Sequence, residues 1–138
     1  MEDKRVVAKY LLDTDMVIDL LRSSSSVVAK KMREVTMAMC AIADITLYEL
    51  YCGAEASRAP AANYAVVNLL KTKITVLSSS DAYEEAARQK IRLKKLGIAI
   101  EDNDLLIGCT AKVNNLVAVT GNTKHLGRIE GLDVCSWR

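Results

Sequence analysis

The chain has 138 residues, 51% of them apolar, a formal net charge of +2, four cysteines and a single histidine. That length and apolar content fit one ordinary domain with its own core, and the near-balanced charge excludes nucleic-acid binding by bulk positive charge, so any such role rests on local clusters. With no Phe and one Trp, aliphatic side chains fill the core, which suits an α/β architecture with Val/Ile/Leu-rich central strands.

In chain order, Val6–Leu12 reads as a first strand that runs into Asp13 and Asp15. The charged stretch before it is followed by no long apolar run, so neither a signal peptide nor a transmembrane helix is expected. Met16–Arg22 reads as a short helix. Ser23–Ser26 is a polar break, with Ser26 placed to cap a helix over Val27–Thr36. Met37–Ile45 is an apolar strand, and Thr46 opens a helix to about Ser57. Pro60 suits the first turn of the next helix, which ends near Lys71. Ile74–Leu77 is a strand. Ser80 or Asp81 caps a basic helix that reaches Leu96, and Gly97 ends it. After an extended link over Ile98–Ile100, Asp102 begins a helix to about Asn114, followed by strands at Leu116–Val119 and Leu132–Val134. Strands alternating with helices predict a three-layer α/β sandwich: a central, mostly parallel sheet of about five strands flanked by helices, as one domain over residues 1–138.

No pair of cysteines has CxxC spacing and there is one histidine, so a structural zinc site is not expected. Cys40, Cys52 and Cys109 read as reduced, packing as small hydrophobes in a cytoplasmic protein. The acids carry the chemistry instead. In open parallel sheets ligands collect at the carboxyl ends of the strands. Asp13 follows the first strand directly, Glu49 lies one turn into the helix after the second, and Glu101–Asp102–Asn103–Asp104 opens the helix before the fourth. Hard divalent cations take oxygen ligands, and carboxylates crowded at one edge oppose each other's ionisation without a counter-ion. A bound cation removes that conflict, activates water and holds a phosphate for attack. The pattern points to phosphodiester chemistry with Mg2+ or Mn2+. Each acid also has a structural reading: Asp15 and Asp102 as helix N-caps, Thr46 and Glu49 as a capping box, Asp104 in a first helical turn. Asp13 fits such a reading least, because an acid at a buried strand end needs a partner.

The wording around these acids resembles a known family. Tyr10-Leu-Leu-Asp13-Thr-Asp-Met-Val-Ile-Asp-Leu-Leu-Arg22 looks like the opening motif of PIN domains, and Ile45-Thr-Leu-Tyr-Glu49-Leu-Tyr-Cys-Gly53 resembles the second. Asn103-Asp104-Leu-Leu-Ile107 is similar to the third, and Val119-Thr120-Gly-Asn122-Thr-Lys-His125-Leu to the fourth. Gly131-Leu-Asp-Val134 and Trp137 match the ending of VapC-type toxins of VapBC toxin–antitoxin pairs. The resemblance implies a metal-dependent endoribonuclease in which Asp13, Glu49 and Asp104 bind Mg2+ or Mn2+ and cleave RNA. It also implies a cognate VapB-type antitoxin and a homodimer. Asp15, Thr14 and Thr120 would support the site, and Asp102 competes with Asp104 for the third role, Asp104 giving the better motif register. Asn122 stands where many members carry a fourth acid, which leaves a second metal ion open, since an amide adds no charge.

His125 reads as a loop residue near the site rather than a general base, since metal-activated water requires none. The cluster Arg88, Lys90, Arg92, Lys94 and Lys95 reads as a solvated helix face with secondary RNA contact. Arg22 is the better candidate for a substrate-side cation. Tyr48 and Tyr51 read as packing residues beside Glu49. Two rival functions stand beside the nuclease. One is a catalytically impaired PIN-like module that binds RNA or a partner, supported by Asn122. The other is a haloacid-dehalogenase-type phosphatase, suggested by Leu12-Asp13-Thr14-Asp15 and weakened by the short stretch left after Asn122 for its remaining motifs.

Overall fold

A computed structural model describes residues 7–138; the start of the expected first strand, Val6, lies outside them. The first strand, β1, covers Tyr10–Leu12. Helices α1 (Thr14–Arg22) and α2 (Val27–Val35) follow, then β2 (Cys40–Ala43), α3 (Asp44–Glu55), α4 (Pro60–Lys73) and β3 (Thr75–Leu77). The second half holds α5 (Tyr83–Lys95), α6 (Asp102–Val113), β4 (Val117–Val119), α7 (Thr123–Leu126) and β5 (Val134–Cys135). The five strands run in the order β3-β2-β1-β4-β5, every neighbouring pair parallel. The chain builds outward from β1 to β2 and β3, then crosses back to place β4 and β5 on the other side. The order therefore reverses between β1 and β4, and a crevice opens beyond their carboxyl ends.

Alternation along the strands divides the core between the two faces of the sheet. Leu12, Cys40, Ile42 and Val119 face one way, against Met16, Val17, Val28, Met32, Val67 and Leu70 of α1, α2 and α4. Leu11, Ala41, Ala43 and Ala118 face the other, against Ala86, Leu105, Ile107, Cys109 and Ala111 of α5 and α6. Three alanines on two strands of that second face, Ala41 and Ala43 of β2 and Ala118 of β4, leave room for α6 to lie close. Leu105 and the run from Ile107 to Ala111 are all buried. Glu85 ties α5 to α6: it accepts from Lys112 Nζ at 2.6 Å and from Gln89 Nε2 at 2.8 Å, and pairs with Arg88 at 2.6 Å. The hydrogen bond from Lys112, aided by those from Gln89 and Arg88, holds its carboxyl down at about 2.

Several boundaries differ from the sequence-based expectation, each for a local reason. Thr36 adopts φ +77° and closes α2, and Met37–Met39 form a 3-10 turn, so β2 begins only at Cys40. Helix α3 starts at Asp44, two residues before Thr46, with an acid in its first turn where the helix dipole favours it. Thr46 is therefore inside the helix and fully buried, and the expected capping box with Glu49 does not form. Neither Ser80 nor Asp81 caps α5 directly. Ser79–Ala82 make a 3-10 turn in which Ser78 accepts from the Ser80 amide, and Asp44 Oδ2 accepts from the Ser79 amide at 3.2 Å. Asp13 and Glu101, not Asp15 and Asp102, occupy the N-cap positions of α1 and α6. Ser26 caps α2 by accepting from the Ala29 amide at 3.0 Å, and Gly97 follows α5 in the left-handed region at φ +74°, both as expected.

Gly108 of α6 is where the chain after β4 presses closest. A Cβ there would collide with Ile129 Cδ1 and come within 3.3 Å of Leu132 Cδ2. Gly53 of α3 has nothing within 4 Å of the same position. Gly108→Val is expected to cost about 1–3 kcal/mol by overpacking, whereas Gly53→Ala should add about 0.5–1 kcal/mol through the lower helix propensity of glycine. Urea denaturation of both variants with unchanged m-values checks the pair.

Candidate active site

Asp13 stands at the carboxyl end of β1, beside the end of β4. Its amide donates to the Val119 carbonyl at 3.0 Å, closing the β1–β4 ladder. Its side chain turns back to cap α1, Oδ1 accepting from the Met16 amide at 3.0 Å. The hydroxyl of Thr120, buried at the end of β4, donates to the same carboxylate. Thr120 Oγ1 in turn accepts from the Asn122 amide at 3.1 Å. Burial pushes the Asp13 carboxyl above its ordinary range, and the nearby charges of Asp15 and Asp104 push it further; the hydrogen bonds from Thr120 and Met16 act against both.

A second chain of hydrogen bonds holds Glu49. Thr14 Oγ1 donates to Glu49 Oε1 at 2.6 Å and lies 3.1 Å from Thr46 Oγ1. The Thr14 hydrogen is committed to the carboxylate, so Thr46 is the donor of that pair. Asn103 Nδ2 reaches Glu49 Oε2 at 3.5 Å, joining α6 to α3. Asp104, one residue on, accepts at Oδ2 from His125 Nε2 at 2.9 Å when that nitrogen carries the proton. The Asn122 side chain caps α7 by accepting from the His125 amide at 3.3 Å, and so sets the histidine's position.

The remaining candidates fall at differing distances from this crevice. Asp102 is exposed and pairs with Lys90 on α5 at 2.7 Å, away from the Asp104–His125 contact. Asp15 is exposed, and its charge reaches Asp13. Arg22, at the end of α1, lines a cleft of about 470 Å³ between α1, α3 and α4, whose walls include Leu21, Leu50, Val66, Val67 and Glu49. Within the basic cluster, Arg88 pairs with Glu85, Lys90 with Asp102, and Arg92 donates to Gln89 Oε1 and to the Arg128 carbonyl. Those three are engaged with the protein, in line with a solvated structural face. Tyr51 packs against Tyr64 with ring centroids 5.3 Å apart, and Lys71 lies over it, while Tyr48 stays exposed. The four cysteines are free; burial raises the Cys40 and Cys109 thiols to about 11, which suits packing rather than reactivity.

Sequence reasoning undervalued three residues that the fold brings to the crevice: His125 on Asp104, Asn103 on Glu49, and Thr46 behind Thr14. The position of Asn122 three residues before His125, a capping distance, was the available signal for the first. Asp44, at the end of β2, holds the Ser79 amide and belongs to the framework. Among the described residues no three His, Cys, Asp or Glu side chains converge closely enough to hold a metal ion directly. Each acid is instead held by hydrogen-bond donors: Thr120 and the Met16 amide for Asp13, Thr14 and Asn103 for Glu49, His125 for Asp104. The donor chemistry still fits a hard divalent cation. The set is all carboxylate oxygen, and one member, the half-buried Asp13, has its ionised form disfavoured by its surroundings.

The fold and crevice define an α/β domain with acids gathered at the topological switch point of a parallel sheet. The PIN domain model matches residues 10–132, and the chain belongs to that family. It is 32% identical over 130 residues to the tRNA(fMet)-specific endonuclease VapC of Salmonella typhimurium, covering 94% of this chain and 98% of that one. It is 30% identical over 130 residues to ribonuclease VapC2 of Haemophilus influenzae, with the same coverage. Its structure is similar to that of DNA-bound VapBC from Salmonella typhimurium, with a TM-score of 0.87, 29% identity, and coverage of 95% and 99% of the two chains. The family match displaces the haloacid-dehalogenase reading.

Because folding disfavours the charge on Asp13, its ionised form opposes folding above its raised folded pKa, and the opposition disappears below the unfolded value. Asn also caps helices well. In chelator at neutral pH, Asp13→Asn is therefore expected to raise the Tm, with the gap to wild type closing as pH falls below the ordinary aspartate range. Thermal denaturation across pH measures this; a lowered Tm at neutral pH would show that the carboxylate is stabilising.

Proposed function

We propose that this chain is a nuclease that cuts RNA internally, acting as the toxin of a toxin–antitoxin pair, with Mg2+ or Mn2+ held among Asp13, Glu49 and Asp104 in part through bridging water, because the three do not converge on one point directly. The observation that carries the reading is the half-buried Asp13 at the β1–β4 switch point, whose ionisation Asp15 and Asp104 oppose. Like charges beside a half-buried carboxylate oppose its ionisation, and a cation site at that position accounts for the arrangement. Membership of the PIN family and likeness to proteins named ribonucleases add to it.

A bound divalent ion would supply a water of lowered pKa and neutralise charge on the phosphate. The chain's own residues do the orienting. Thr120 fixes the Asp13 carboxylate, Thr14 fixes Glu49 with Thr46 behind it, and His125 holds Asp104. Asn122 serves as a capping residue for α7, so its amide has a structural use that does not depend on an impaired site. Glu49 faces both the acid crevice and the apolar cleft of about 470 Å³. A partner seated in that cleft through aliphatic side chains touches Glu49, which gives an antitoxin a direct means of control. No helix among the described residues is long and apolar enough to cross a membrane; a cytoplasmic location and a homodimer belong to this proposal.

Purified protein incubated with total RNA and Mn2+ should cleave it, and chelator should stop the reaction. Asp13→Asn, Glu49→Gln and Asp104→Asn should each reduce the rate about a hundredfold or more, the scale of losing preorganised charge at a phosphoryl site. Asp102→Asn, which breaks only the surface pair with Lys90, should cut like wild type. Cleavage that persists in chelator, or in Asp13→Asn, would overturn the assignment.

A further inference from the structure

The last residue of the chain reaches back to the crevice. Trp137 is buried, its ring edge-on to Tyr10 with centroids 5.3 Å apart, and the Thr120 amide donates to the Cys135 carbonyl at 3.0 Å. The segment after β5 is thereby fixed against Tyr10 of β1 and the carboxyl end of β4. From it the Arg138 guanidinium extends across Gly121, where a Cβ would collide with Nη1 and Cζ. Nε donates to Asp19 Oδ2 of α1 at 2.8 Å. Asp15 and Asp13 lie close enough for their charges to favour the guanidinium as well. Among the described residues, Asp19 is the one carboxylate that pairs with it, and the Arg138 side chain remains 47% exposed. Asp19 engages Nε and Nη1 lies over Gly121; no hydrogen bond among the described residues uses the terminal nitrogens of the planar fork.

We propose that Arg138 is a substrate-positioning residue that grips an RNA phosphate at the lip of the acid crevice, with Asp19 holding the guanidinium in place. The inference rests on the nuclease reading. It moves the substrate-side cation from Arg22, which lines the apolar cleft, to the opposite end of the chain. An acidic site repels a polyanion, so a fixed cation beside it is what brings a phosphate into register. Arginine suits the role because its fork takes phosphate oxygens in pairs.

Two measurements test it. The first is binding of a single-stranded RNA oligonucleotide across a salt series, without divalent ions, in an Asp13→Asn background. Arg138→Ala should weaken binding and make the slope of log K against log salt shallower by about 0.7, the loss of one phosphate contact. The second is cleavage kinetics with Mn2+ in the otherwise wild-type protein. Arg138→Ala should lower kcat/KM by about ten- to a hundredfold, the value of a charge-assisted contact, with Arg138→Lys recovering part of it. Gly121→Ala, which crowds the guanidinium and keeps its charge, should lose less in the same direction. An Arg138→Ala protein with wild-type salt slope and kcat/KM, whatever its Tm, would reduce Arg138 to a clamp on α1 and overturn the proposal. If wild type binds RNA without cutting it, the nuclease reading falls, and the salt slope still decides Arg138.

Discussion

The central constraint in this molecule is a carboxylate placed where burial and neighbouring charge both disfavour its ionisation. Asp13 ends the middle strand, caps the first helix and lies within range of two other acids. Three separate demands act on one side chain. The backbone requires an oxygen at the start of α1, the crevice requires a fixed orientation, and electrostatics requires a counter-charge. The first two are met by the Met16 amide and the Thr120 hydroxyl. The third is met in part by the Arg138 guanidinium, which the charges of Asp15 and Asp13 favour. A strained arrangement of this kind persists only where the surrounding packing over-determines it.

That packing comes from the face of the sheet where the strands carry alanine. Ala41, Ala43 and Ala118 let α6 approach closely, and Gly108 lets the segment after α7 press onto α6 in turn. The result fixes Asn103 toward Glu49 and His125 toward Asp104 through elements that cannot shift independently. Small residues in the core thus set the positions of large polar ones at its edge. On the other face, bulkier Met16, Ile42, Leu12 and Val119 fill the space under α1 and α2, and Asp13 enters α1 from a strand held on both sides.

Much of this was legible in the residues. The alternation of apolar runs with helical stretches was enough for a parallel three-layer sandwich, and Asp13 was legible as an acid directly after the first strand. The motif register favours Asp104 over Asp102, and helix geometry separates the surroundings of the two. Residues two apart are turned roughly 200° about a helix axis, so one acid meets Lys90 on α5 and the other meets His125. What escaped the sequence depended on long-range partners. Thr46 and Glu49 have the spacing of a capping box, and only the docking of α1 against α3 gives Thr14 the hydroxyl contact that recruits both. The start of α3 was missed because Ala43, Asp44 and Ile45 continue an apolar strand pattern, while the dipole of the helix claims the acid. Nothing local to Arg138 indicates Asp19, more than a hundred positions away.

Sheet order has a consequence for synthesis. One wall of the crevice is β1, among the first elements to leave the ribosome, and the other is β4, among the last. Their pairing, Leu12 with Val119, closes the longest loop in the sheet and is entropically the slowest to form. A nascent chain that has completed β1, β2 and β3 already possesses Asp13 and Glu49, but has neither Thr120 nor Asp104. The crevice is therefore complete only after most of the chain has been made, and its two walls meet in a late step of folding.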